Sequence, residues 1–227
     1  LVHKKIRVPV ADAGIAHVHA CIAARDTLLP ELLTLIEDAA LKAKAVDALA
    51  AAWTAVLDQA SVSGKLKGAL YARLSDWHNT QRKDEDAAEA ALVQSLLAQP
   101  GELSIVRGLA DLQRRAPGLA LCETLANLHE LERDNLDPLL EAAEVARTGV
   151  PDAAQRIALW QRLYERATDF LRNGTEPRGQ ATAVHCLRFA IDQLVGSLAE
   201  QGQSERALQL LLGASVLPME PELRRED

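Results

Sequence analysis

Apolar residues recur three and four positions apart along most of the chain, and short polar or Pro/Gly stretches interrupt them at intervals. That period belongs to amphipathic helices, whose buried stripe returns to the same face every turn. Residues 1–10 alternate weakly and carry His3, Lys4, Lys5 and Arg7, which reads as an extended arm. From Ala11 the helical period predicts a helix over 11–25. Asp26 or Thr27 with Pro30 marks the next N-terminus, because a first helical turn needs no donor from proline. An Ala-rich run to Gln59 sets Leu49, Trp53, Val56 and Leu57 on one stripe and breaks at 61-SVSG-64.

Beyond Gly64 the punctuation becomes regular. Helices are predicted near 66–80 and 86–98 around the polar turn 81-QRKDE-85, the second stopped by 100-PG-101. Further pairs follow near 103–115 and 119–133, near 137–147 and 152–172, and near 180–200 and 204–215. They are split by 117-PG-118, 149-GVP-151 and Gly202, and 173-NGTEPRG-179 separates the last two pairs. The pairs begin near residues 66, 103, 137 and 180, a spacing of about 34 to 43 residues. Two-helix units at such a period are the sign of an α-solenoid, since one hairpin cannot bury its apolar face without a stacked neighbour. An irregular helical bundle is the alternative.

Composition agrees with an all-α chain. Apolar residues make up 48% of the 227 but aromatics only 3%, so Ala and Leu dominate, and both lose little entropy in a helix. The net charge of −7 argues against a broad nucleic-acid surface. Charge is uneven: residues 1–83 hold all seven Lys, with 11 basic and 8 acidic side chains, whereas 84–227 hold 14 Arg and 24 acidic ones. Cys21, Cys122 and Cys186 are distant and odd in number, which suits buried, reduced thiols in a cytoplasmic protein. No apolar run reaches the 18 or so residues that span a bilayer. Met219 is the only Met, so the chain reads as an excerpt or a processed product.

Motifs that carry chemistry do not assemble. The stretch 63-SGKLKG-68 lacks the loop and hydroxyl of a phosphate-binding motif, and 129-HELER-133 has Arg133 where a zinc helix needs its second ligand. In 17-HVHAC-21, His17 and Cys21 share a helix face, but two ligands do not make a zinc site. His185 and Cys186 diverge on a helix. The expectation is a non-enzyme without cofactor or metal. Trp53, Trp77 and Trp160 sit on helical stripes and read as core packing. For Trp77, beside Arg73, a second reading is a groove-facing partner anchor, since Trp and Arg recur at interface hot spots. The Arg-rich 107-RGLADLQRR-115 and 162-RLYER-166 read as solvated faces or as contacts for an acidic segment.

Two hairpins resemble the tetratricopeptide repeat. In 66–100, Tyr71, Leu74, Ser75 and His78 fill the first-helix positions, Ala88, Leu92 and Ser95 the second, and Pro100 closes the unit. In the last pair Ile191, Leu194, Leu198, Gly202, Ala207, Leu211 and Ala214 match, with Pro218 one place early. The resemblance implies a right-handed superhelix whose first helices line a concave groove holding a peptide or helix of a partner protein. The family has no catalytic residues to carry over. Its carboxylate-clamping pattern finds only Arg73 and Asn79 here, so that mode is not expected. The chain thus divides into an unassigned helical segment at 1–65, repeats over 66–218 and a charged tail at 219–227, with Arg73, Trp77 and Asn79 as candidate partner contacts. The expected function is an interaction scaffold; the alternative is the sensor or regulatory portion of a larger signalling or transcription-regulating protein. The segment 208-LQLLLG-213 is apolar on more than one face, so either the array continues or this end is itself a docking surface.

Overall fold

The computed structural model describes residues 10–24, 28–58, 62–173 and 177–215, and the regular elements among them are all helical. The chain forms two compact units, Leu1–Leu112 and Gln113–Asp227. The expected start of the repeats at residue 66 falls inside the first unit. The arm at 1–9, the turn candidates Asp26 and Thr27, Pro218 and the tail at 219–227 lie outside the described residues.

The first unit holds α1 (Val10–Ala24), α2 (Pro30–Ala43), α3 (Val46–Leu57), α4 (Gly64–Trp77), a π-helical turn (His78–Arg82), α5 (Glu85–Ala98) and α6 (Leu103–Gln113). Pro30 opens α2 as expected. Ser63 caps α4 by accepting from the Leu66 amide at 3.3 Å, and Asp84 caps α5 by accepting from the Ala87 amide at 3.0 Å. The Ala-rich run to Gln59 is not continuous. It breaks at Lys44, whose φ of 55° is left-handed. The Ala45 amide then donates back to the Ala40 carbonyl at 2.8 Å, closing the helix end.

The predicted stripe Leu49, Trp53, Val56 and Leu57 is fully buried, against Leu33 and Ile36 of α2 and Leu70, Leu74 and Trp77 of α4. The α4–α5 pair is fixed by two hydroxyls. Ser75 Oγ donates to the Ala88 carbonyl and Ser95 Oγ to the Gly68 carbonyl, each at 2.7 Å. Seven residues forward on α4, from Gly68 to Ser75, match seven backward on α5, from Ser95 to Ala88, so the helices run antiparallel. Side chains this small let the two backbones approach closely. Helix α6 adds Ile105 and Leu109 to Leu92 of α5.

The second unit holds α7 (Leu119–Leu131), α8 (Asp137–Gly149), α9 (Ala153–Asn173), α10 (Pro177–Glu200) and α11 (Ser204–Ser215). Helix α8 presents the fully buried Ala142, Ala143 and Ala146. Cys122 of α7 donates to the Ala142 carbonyl at 3.3 Å, and Trp160 Nε1 of α9 donates to the Ala143 carbonyl at 3.0 Å. Gly149 lies so near the loop before α7 that a Cβ there would stand 2.7 Å from the Pro117 carbonyl oxygen. Leu163 and Ala167 of α9 meet Ala183, Leu187, Ala190 and Leu194 of α10 in the centre of the unit. The turn expected at Gly202 is present: its φ is 71°, and the Gln203 amide donates to the Leu198 carbonyl at 2.8 Å.

Helix α11 departs from expectation. Ala207 and Ala214 are buried, but Leu211, aligned with a packing position, is 45% exposed. Ala207, Ala214 and the half-buried Leu210 make the inward contact, and Leu208, Leu211 and Leu212 stand towards solvent.

Candidate functional site

Arg73, Trp77 and Asn79 were expected to meet a partner, and the fold separates them. Arg73 and Trp77 are one turn apart and reach α2 and α3. Arg73 Nε donates to Glu37 Oε1 at 2.6 Å, its second nitrogen to Glu37 Oε2, and that nitrogen also to Thr34 Oγ1 at 3.1 Å. The hydrogen bond with Glu37 raises the guanidinium pKa. Trp77 is 4% exposed, donates from Nε1 to the Val46 carbonyl at 3.0 Å and tilts against Trp53 with ring centroids 6.2 Å apart. It is a core residue and is not presented as a groove anchor, because α3 covers the face of α4 that carries it. Asn79 is half-buried in the π-helical turn.

That turn builds a feature the sequence pattern does not announce. Arg82 donates from Nε to Asp47 Oδ1 at 2.9 Å, and its NH1 lies 2.8 Å from His78 Nδ1, with Asp84 Oδ2 at 4.0 Å. A guanidinium only donates, so Nδ1 is the acceptor and the His78 proton sits on Nε2. Burial, then the charge of Arg82, lowers the His78 pKa, with Asp84 opposing. With the exposed edge of α3 these residues line a groove of about 380 Å³.

The second unit contains a matching clasp. Glu130 Oε1 of α7 accepts from Arg162 at 2.6 Å and from Arg166 at 3.0 Å, both on α9, while Arg133 stands 3.8 Å from Oε2. The bond from Arg162 leads in holding the Glu130 carboxyl below its ordinary range. The 162-RLYER-166 group thus meets an acidic residue of its own chain. Arg73 to Glu37 and Arg166 to Glu130 each span 36 residues and tie a helix to the second helix before it.

His129 is 1% exposed; its Nδ1 donates to the Asn135 carbonyl at 2.8 Å, and Nε2 has no partner among the described residues. Burial is the chief cause lowering its pKa, and it alone lowers that of His17. All three imidazoles are therefore kept neutral by the fold. The unfolded chain binds their protons first, so stability is complete above about pH 6.5 and falls as pH drops below it. The melting temperature should decline between pH 7 and 5, before Glu130 titrates. A flat profile over that window would show that these rings are solvated.

Cys21, Cys122 and Cys186 are free and buried. Burial pushes Cys122 up to about 11 and Cys186 up to about 12, so both stay thiols at neutral pH and are poor nucleophiles. His17 lies 3.8 Å from Cys21 Sγ through either ring nitrogen. Among the described residues no three His, Cys, Asp or Glu side chains gather closely enough to hold a metal ion. His185 is exposed while Cys186 is buried, so that pair diverges. No described helix is long and apolar enough to cross a membrane.

Among the described residues of the second unit, exposed leucines gather on α11. Leu208, Leu211 and Leu212 are 57%, 45% and 60% exposed. Beside them Arg188, Ile191 and Asp192 of α10 and Ala214 and Ser215 of α11 border a groove of about 330 Å³. No protein-family model matches this sequence, and no curated protein matches it at a significant level.

Proposed function

We propose that the chain is a non-enzymatic interaction scaffold, an α-solenoid of about five tetratricopeptide-like hairpins that binds a peptide or helix of a partner protein. The antiparallel α4–α5 crossing sealed by Ser75 and Ser95 supports a repeat reading, as do the Arg–Glu clasps 36 residues apart in both units. The buried, neutral thiols support a cytoplasmic setting.

The observation that carries the binding role is the uncovered Leu208, Leu211 and Leu212 beside the α10–α11 groove. Exposed apolar side chains grouped beside a concavity mark recognition surfaces in soluble proteins. An amphipathic helix fits here, its apolar stripe on the leucines and its polar edges by Arg188 and Asp192. This docking edge replaces the groove first expected around Arg73 and Trp77, whose side chains are committed to α2 and α3. The test is comparative capture with the wild-type chain and Leu208→Glu/Leu211→Glu. A specific partner should bind the wild type and lose at least about tenfold in affinity for the variant, since two buried leucines contribute roughly 3 kcal/mol or more. Equal capture by both proteins would refute the assignment.

A further inference from the structure

The open edge of α3 is a second surface, independent of the scaffold reading. Asp47, Ala50, Ala51, Thr54, Ala55 and Asp58 form one stripe, spaced by three and four residues, and all border the groove walled by His78 and Arg82; Ala50 is buried at its floor and the other five are exposed. Four of the six are Ala or Thr, so another helix backbone can approach closely. The stripe is also nearly a palindrome. Asp47 and Asp58, Ala50 and Ala55, and Ala51 and Thr54 are each equidistant from the point between Ala52 and Trp53.

The ends of the stripe carry complementary, unused hydrogen-bonding capacity. At the Asp47 end, His78 is 8% exposed and its protonated Nε2 meets no acceptor among the described residues, its one bond being that of Nδ1 with Arg82. Arg82 uses Nε and NH1 on Asp47 and His78, which leaves NH2 for another carboxylate. At the other end, Asp58 has no ion-pair partner among the described residues. The two ends lie 11 residues apart, roughly 16 Å along the helix.

We propose that this edge pairs with the same edge of a second copy of the chain, α3 antiparallel to α3 about a two-fold axis between Ala52 and Trp53. That operation sets Ala50 against Ala55 and Ala51 against Thr54 of the second copy. It also brings each Asp58 to the other copy's His78 and Arg82, giving the buried imidazole N–H its acceptor and both ends their charge pairs at once. The repulsion between Asp47 and the incoming Asp58 is relieved because Arg82 lies between them and can bond both. A two-fold contact of this kind is closed and stops at the dimer.

Sedimentation equilibrium on the whole chain tests this, from about 5 to about 500 µM, the range in which interfaces at the small end of the size scale associate. The wild type should be a reversible dimer that weakens with salt. Ala51→Arg, an exposed helical position near the axis, should be monomeric throughout with an unchanged circular dichroism spectrum. Asp58→Lys, which sets a cation against the second copy's Arg82, should weaken dimerisation roughly tenfold or more, as reversing one member of a close charge pair does. A monomeric wild type over the whole range overturns the proposal. So does wild-type dimerisation by a folded Ala51→Arg or by Asp58→Lys. The α11 variants of the scaffold test leave this edge intact, so each reading fails separately.

Discussion

Replacing Trp160 with alanine is expected to lower the unfolding free energy by about 4 kcal/mol, in the range seen when a buried indole is truncated. The ring lies between α8 and α9 with Leu139, Leu163 and Ala167 in the same core, and its Nε1 donates to the Ala143 carbonyl at 3.0 Å. Ala142, Ala143 and Ala146 have no side chain long enough to fill the space. The cavity therefore persists, and the cost exceeds the transfer term. Trp160→Phe keeps most of the volume and loses the hydrogen bond, so it should cost about 1 to 2 kcal/mol. Thermal melts should fall by roughly 10 °C for the alanine variant and by less than half of that for phenylalanine. If Trp160→Ala melted with the wild type, the α8–α9 packing described above would be wrong.

Several helix limits were legible because their ends carry explicit chemistry: Pro30 at an N-terminus, the breaks at 61-SVSG-64 and 81-QRKDE-85 that hold the caps Ser63 and Asp84, and Gly202 in the left-handed region. The break between α2 and α3 was not. Its turn residue is Lys44, a non-glycine in the left-handed region, and the backbone bonds that close the helix end offset the cost of its Cβ there. The π-helical turn was hidden for a related reason, since 78-HNTQR-82 continues the helical period of α4. Trp77 shows what a stripe leaves open: periodicity puts it on a face with Arg73, but only the position of α3 decides that the face is covered. Arg162, Arg166 and Glu130 read as surface charge because their pairing depends on α7 and α9 coming together across 32 to 36 residues. Leu211 fits the repeat pattern by spacing, yet Ala207, Ala214 and the neighbouring Leu210 make the inward contact.

Ala88→Leu should destabilise the first unit by about 3 kcal/mol, the upper part of the range for overpacking. Ala88 is 0% exposed, and its carbonyl receives the Ser75 hydroxyl at 2.7 Å across the α4–α5 crossing. Three further carbon atoms at that position have no void to enter. The helices must separate, and separation stretches both serine bonds together, because Ser95 bonds Gly68 across the same crossing. The serines thereby give the effect a signature. Ser75→Ala and Ser95→Ala remove one bond each without adding volume, so each alone should cost about 1 kcal/mol. In the Ala88→Leu background either serine substitution should cost distinctly less, since the bond it deletes is already lost. Full additivity in that double-mutant cycle would mean that the leucine is accommodated without moving α5, and that the close crossing is not what holds the pair together.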